Sequence, residues 1–354
     1  MSVGPGARLA SIDALRGMTV AAMLLVNNPG DWGHVYAPLR HAMWDGCTPT
    51  DLVFPFFLLL VGVSLAFSVA PRAQDAALRP VLARGVVQRA LRILAAGALL
   101  HLLVWWALDV AHFRLWGVLQ RIAVCAAGVG LLAVYGSRRL QGVVLVALLL
   151  GYAGLLMAAG SLAPLLNPAS RLDTALFAPW LYQWDPMTGR GHDPEGLLST
   201  LGALATTLLG LLAGQLLRAG RLRALGQAAG LALLVGWVGA DVLPWNKQLW
   251  TPSYVLWSGG WAMLALLLAH LLIDQRRWPA LGRRFGVNAI TAYLGSGVMT
   301  VGLIASGAWA ALQASALALL GDAAMASLAC AVAFVAVWWA IMWWLDARRL
   351  YLKI

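Results

Sequence analysis

Charge is scarce in this 354-residue chain: only 11% of its residues are Asp, Glu, Lys or Arg, where a soluble protein carries about a quarter. A single glutamate, Glu195, stands among the 14 acidic residues. Cysteine is rare as well. Cys47, Cys125 and Cys330 lie far apart, with no CxxC pair and no metal-ligand spacing, which excludes a disulfide framework and a zinc ribbon. No phosphate-binding Walker loop, dinucleotide fingerprint, GxSxG elbow or HExxH motif occurs, so ATP hydrolysis, hydride transfer and zinc hydrolysis have no sequence basis. A cleavable signal peptide is not expected either: the first apolar run carries Asp13 and Arg16, and no small-residue cleavage site follows it.

Apolar residues are abundant instead, at 61% of the chain, with 37 glycines and 18 tryptophans. Runs of about 20 apolar residues, enough to cross about 30 Å of hydrocarbon, recur throughout. The expected fold is an all-α, polytopic transmembrane helical bundle forming one integral membrane domain over residues 1–354. Ten spans are predicted, near 12–28, 51–70, 86–108, 115–135, 140–162, 196–217, 224–242, 252–273, 285–305 and 323–345. Segment 306–321 is apolar but short, so it is a re-entrant or interfacial helix or an ill-delimited part of its neighbours. Gly210 and Gly214, in GLLAG, form a small-xxx-small element suited to close helix packing. No fixed-period repeat or matched pair of inverted halves is visible, which weakens an inverted-repeat transporter.

The basic residues orient the bundle. Arg8, Arg72, Arg79, Arg84, Arg138, Arg139, Arg218, Arg221, Arg223, Arg276, Arg277, Arg283, Arg284, Arg348, Arg349 and Lys353 fall on one set of ends and loops, 16 residues in all. The opposite set holds 5: Arg40, Arg114, Arg171, Arg190 and Lys247. By the positive-inside rule both termini are cytoplasmic. The net charge of +11 is then a topology signal, and no nucleic-acid partner is expected. Loops 29–50, 163–195 and 243–251 face the other side, with most of the chemistry-bearing side chains.

Several of these have two readings. His41, in RHAMWDGCTPTD, is either a solvated loop histidine or a general base with a proton affinity near neutrality. Asn27 and Asn28 either punctuate a helix end before Pro29 or place an amide near a developing oxyanion. Asp13 and Arg16 share a helix face and form an ion pair or part of a ligand site. Asp193 reads as a helix N-cap followed by Pro194 at the first helical position. That leaves Glu195 to hold a hydroxyl or an ammonium. Arg121, beside Gln120 and inside a span, must meet an anionic ligand or a carboxylate from another helix. His101, His270, Cys125 and Cys330 read as buried packing residues.

The run from Arg8 to Phe57, with RLASIDALRG, LLVN and HAMWDGCTPTDLVFPFF, resembles the heparan-alpha-glucosaminide N-acetyltransferase family. GVLQRIA, DPEGLLSTL, NKQLWTPSYVL and FGVNAITAY follow in the same order. The resemblance implies transfer of an acetyl group from cytosolic acetyl-CoA to a glucosamine amine across the membrane. It implies catalytic roles for His41 and Asn27, with Asp193 and Glu195 near the acceptor sugar; Trp44 or Trp250, with Asp45, is expected to pack beside that sugar. It implies a CoA contact at Arg121; Gln120 beside it, and Arg283, Arg284 and Asn288 at the cytoplasmic ends, are expected to meet CoA as well, the arginines through its phosphates. The Asn27–His41 spacing is a few residues longer than in the human-type enzymes, and the lumenal amino-terminal domain of the animal enzymes is not seen. A bacterial inner-membrane protein, possible as a homodimer, is the expectation. Direct transfer and an acetyl-histidine route both remain open. The rivals are a membrane O-acyltransferase of a periplasmic glycan and an amino-sugar transporter.

Overall fold

The computed structural model describes residues 9–351. Arg8 and Lys353, two of the residues used above for orientation, lie outside the described residues. Thirteen α-helices occur among the described residues: α1 (Ala10–Asn27), α2 (Val53–Ser68), α3 (Arg79–Ala107), α4 (Val118–Tyr135), α5 (Arg138–Met157), α6 (Pro168–Phe177), α7 (Thr200–Arg218), α8 (Leu222–Val238), α9 (Pro252–Ala269), α10 (Arg283–Val287), α11 (Ala289–Ala305), α12 (Ala308–Leu320) and α13 (Ala323–Ala347). A short antiparallel ribbon, β1 (Gln183–Asp185) with β2 (Arg190–His192), pairs Trp184 with Gly191. The chain is thus an all-α polytopic bundle.

Nine helical segments are long and apolar enough to cross a membrane among the described residues. A tenth candidate is the pair α11–α12, bent by 80°. Gly307, with φ 75°, makes that break, a left-handed backbone that glycine adopts without a Cβ clash. Segment 306–321 is therefore a separate helix, α12, bent away from α11. Two other expectations shift at their ends. The third helix starts at Arg79, ahead of residue 86, because Pro80 lies in its first turn, where a missing N–H costs nothing. Helix α7 starts at Thr200 and not at 196, because the carboxylates and hydroxyls of 193–199 are committed to other partners.

Helices α2 and α7 cross at the centre, and glycine permits it. A Cβ at Gly210 would stand 1.9 Å from the Leu59 carbonyl oxygen, and one at Gly62 1.9 Å from that of Thr207. Gly214 meets Ala66 and Val63 in the same seam. Helix α7 is the most enclosed of the candidate spans, whereas α3, α5 and α8 are the least. Their uncovered Leu99, Trp106, Leu150 and Leu231 suit hydrocarbon, where no water penalises apolar surface. The start of α1 packs on α10, and Arg16 joins Asp13 (2.9 Å), the Gly286 carbonyl (3.2 Å) and Ser64 (2.7 Å). From that end α1 runs to the opposite face, where Asn27 and the loops carrying the polar cluster meet.

Candidate active site

Two loops are stitched together at the end of the bundle opposite α10. Gly46 N–H donates to the Trp245 carbonyl (2.7 Å), Asn246 Nδ2 to Asp45 Oδ1 (3.1 Å) and Gln248 Nε2 to the Met43 carbonyl (3.2 Å). These bonds hold segment 40–51, which leads into α2, against 243–251, which leads into α9. Asp51, only 1% exposed at its side chain, accepts the backbone N–H groups of Ala42 and Thr48, both at 3.0 Å. Its other oxygen lies 2.7 Å from His41 Nδ1. A carboxylate there accepts, so Nδ1 carries the proton and Nε2 presents its lone pair. Lys247 Nζ stands 3.0 Å from Nδ1, 3.2 Å from Nε2 and 3.8 Å from Asp51. Burial pushes the Lys247 ammonium below its ordinary pKa, against the pull of Asp51 and Glu195. Cys47, nearby, is held as the thiol: burial, aided by Asp51, pushes it up to about 12.

The acidic pair lies deeper. Arg114 Nε donates to Asp193 Oδ2 at 2.9 Å, and its terminal nitrogen donates to Asp193 Oδ1 at 2.6 Å and Glu195 Oε2 at 2.5 Å. The guanidinium also lies 4.6 Å from the Tyr182 ring centroid. Asp193 additionally accepts the backbone N–H groups of Tyr182 (3.2 Å) and Glu195 (3.0 Å). Asp193 is therefore not a helix N-cap. It opens the Asp193–Gly196 turn, and its carboxylate is consumed by Arg114. Burial alone would raise the Glu195 pKa, but Arg114 and Arg121 hold it below the usual range. The pair is consequently not an open ammonium site, because a guanidinium already fills it.

Arg121 is fully buried on α4. It donates to Ser199 and to the Gly196 carbonyl (3.2 Å) and lies 5.0 Å from the Trp250 ring centroid. Its Nε and other terminal nitrogen make no hydrogen bond among the described residues. Trp250 is 0% exposed. It donates to Thr206 (3.0 Å) and meets Phe54 and Tyr254 edge-on. Its backbone is left-handed, at φ 52°, an unusual conformation for a bulky residue. Trp250 is a core residue with no face open to a sugar. Trp44 is half-buried, donates to the Leu162 carbonyl (3.1 Å) and packs on His192. Burial drives His192 down to about 4, so it is neutral, and drives Asp173, on α6, up to about 7. Asp45 remains exposed.

Asn27 lines a cleft of about 480 Å3 between α1, α3 and α11, together with His101, His112, Arg114, Tyr182 and Thr300. Its neighbour Asn28 is tied instead, donating to the Leu24 carbonyl (2.7 Å) and accepting from Thr300 (2.6 Å). His101, read from sequence as a packing residue, lines the cleft wall, where its Nδ1 donates to the Arg114 carbonyl (2.8 Å). His41 is not among the cleft's lining residues. Arg114 of the cleft wall binds Glu195 (2.5 Å).

The expected CoA contacts do not form one pocket. Gln120 is 3% exposed and donates to the Leu115 carbonyl (3.3 Å), beside Arg121 near the start of α4. Arg283, Arg284 and Asn288 belong to the α10 region, against the start of α1. Arg283 and Arg284 are 48% and 41% exposed and sit 3.7 Å from Asp346, while Asn288 donates to the Leu350 carbonyl (3.1 Å). Asp13 to Asn27 is 14 residues of α1, so the two groups are separated by about 20 Å along the helix.

Sequence reasoning missed Asp51, Lys247 and Arg114 as site residues. Asp51 was visible in the same TPTD stretch as His41, and a lone buried glutamate demanded a cation. The chain order gave no sign of which cation.

A family model described as heparan-alpha-glucosaminide N-acetyltransferase, catalytic, matches residues 8–244. His41, Asp51, Arg114, Arg121, Asp193 and Glu195 fall inside that match, and Lys247 falls just beyond it. Two curated relatives, from Homo sapiens and Mus musculus, are each named heparan-alpha-glucosaminide N-acetyltransferase. They are 26% identical over 357 residues and 25% identical over 361, covering 81% and 82% of this chain. The chain spans about half the length of these relatives, 52% and 54%.

Proposed function

Because the chain belongs to the heparan-alpha-glucosaminide N-acetyltransferase family, we propose that it moves the acetyl group of acetyl-CoA to the amine of glucosamine or of a terminal glucosaminide. The donor arrives from the cytoplasm and the acceptor from the opposite side, with both termini cytoplasmic, as the distribution of arginines supports. In this reading the protein works in a bacterial inner membrane. The observation that carries it is the His41–Asp51 pair at 2.7 Å, set at the outer mouth of a membrane bundle.

Acetyl-CoA supplies a thioester carbon open to attack by an amine. Its fit is supported by the apolar cleft reaching Asn27 and by the exposed Arg283 and Arg284 at the inner end, which suit phosphates. His41 Nε2 takes the proton that the acceptor amine must lose, while Asp51 fixes the tautomer and steadies the imidazolium. The Asn27 amide donates to the oxyanion. Asp45 and the open face of Trp44 hold the sugar, and Arg114, rather than an ammonium, holds Asp193 and Glu195.

Purified protein given acetyl-CoA and glucosamine should release CoA thiol and form N-acetylglucosamine. His41→Ala should lower that rate by about 100-fold or more. Full activity in His41→Ala would sink this reading, and acetylation of glycan hydroxyls with no preference for amines would replace it with an O-acyltransferase.

A further inference from the structure

The cleft that reaches Asn27 does not stop there. Helices α3 and α11 line it side by side and come closest where a Cβ at Gly297 would stand 3.1 Å from the Leu100 side chain. Thr300, about one turn further from α10, donates to Asn28 (2.6 Å) and so marks the level of the α1 amides. Beyond that level α11 offers Val301 and Ile304, and α3 with its following loop offers Val104, Trp105, Leu108 and Val110. All six are apolar. Ile304 lies four residues past Thr300, about 6 Å along the helix, the length of several methylenes. A site that measured a two-carbon acyl group would set a bulky side chain against its methyl. Among the described residues none closes this end: Trp105 and Ile304 are 44% and 46% exposed. We propose that the cleft beyond Asn27 is an acyl pocket, and that the protein accepts CoA thioesters of longer acyl groups, butyryl among them, as well as acetyl-CoA.

The polar neighbours do not oppose an apolar chain. His101 is bound to the Arg114 carbonyl, and the Arg114 guanidinium is taken by Asp193 and Glu195. A chain laid along Val104 and Ile304 therefore strips neither of these groups of its partner, and burying it carries no unpaired-group penalty from them. Each methylene moved from water into such a lining tightens binding about four-fold. The transfer itself is unchanged by chain length. The acceptor nitrogen bonds to the acyl carbon, the carbon–sulfur bond breaks, and the proton the amine loses ends on the CoA sulfur. The pocket rests on the reading of this cleft as the place of the thioester; the identity of the acceptor plays no part in it.

Unreactive thioethers separate binding from transfer. Titration calorimetry of the whole protein in micelles with S-ethyl-CoA and with S-butyl-CoA compares chains that differ only in length. S-butyl-CoA should bind about ten-fold more tightly. Ile304→Phe, which fills the pocket from a partly exposed position, should remove most of that advantage. Butyryl-CoA should also serve as a donor, giving N-butyrylglucosamine identified by its mass. Equal or weaker binding of S-butyl-CoA, or an advantage that survives in both Ile304→Phe and Val104→Phe, would overturn the pocket and leave acetyl transfer standing. Chain-dependent binding with no transfer of either acyl group to glucosamine would keep the pocket and sink the acetyltransferase reading alone. A protein that bound neither thioether would overturn both.

Discussion

Replacing Arg114 with methionine isolates the ion-pair cluster that ties Asp193 and Glu195 to one guanidinium. Asp193 and Glu195, with side chains 1% and 10% exposed, share this one guanidinium through three hydrogen bonds. Removing a single partner from a buried ion pair costs about 3–5 kcal/mol, because the remaining charge is left unsolvated. Two features pull the expectation toward the lower end: Arg114 is 22% exposed, and Asp193 keeps two backbone donors. Arg114→Met should therefore lose about 3 kcal/mol at pH 7. The pH dependence has a definite sign. The wild-type Glu195 pKa is depressed, so its stabilisation is present above the ordinary carboxylate range and fades as pH falls through the folded-state value. The variant lacks that contribution, and its deficit shrinks toward pH 4. Unfolding of wild type and variant by SDS, followed by tryptophan fluorescence at several pH values, measures both quantities. The charge-free triple variant Arg114→Met, Asp193→Asn, Glu195→Gln should recover most of the loss. An Arg114→Met protein as stable as wild type, or a triple variant as weak as the single one, would refute this reasoning.

Three further perturbations follow from the same geometry. Asp51→Asn should cut acetyl transfer by about 100-fold or more, since an amide no longer imposes the Nδ1–H tautomer; an effect of a few-fold in steady-state rates would show that His41 is not held this way. Asp173, whose pKa burial raises to about 7, destabilises the fold increasingly as pH climbs from about 4 to 7. Asp173→Asn should thus be more stable than wild type at pH 8 and equal to it near pH 4, as thermal unfolding would register. Trp250→Phe should cost about 1–3 kcal/mol through its lost Thr206 bond and Arg121 contact, with the KM for glucosamine unchanged; a raised KM at undiminished stability would return Trp250 to the sugar.

The helices were legible because hydrocarbon demands long apolar runs, and such runs stand out in a chain so poor in charge. Their ends were less so. Helix α12 could not be assigned because 306–321 is too short to span alone, and the 80° bend from α11 depends on one left-handed glycine. Prolines at 80 and 194 illustrate why spacing alone misleads: Pro80 sits inside the first turn of α3, while Asp193 and Pro194 form a turn ahead of α7. The polar cluster around His41 was evident from its position before an apolar run. Its wiring was not, since Arg114 is 79 residues from Asp193 and Lys247 is 206 from His41. Only the folded chain shows that Arg114 fills the acidic pair, and that Trp250 turns inward where a tryptophan at a membrane boundary is usually read as surface.

The most direct test of the central claim uses proteoliposomes of known orientation, with labelled acetyl-CoA on the side of the arginine-rich loops and glucosamine on the side of His41. Labelled N-acetylglucosamine should form on the His41 side and vanish in His41→Ala. Product formed only when both substrates share one side, or formed equally by His41→Ala, would contradict the account.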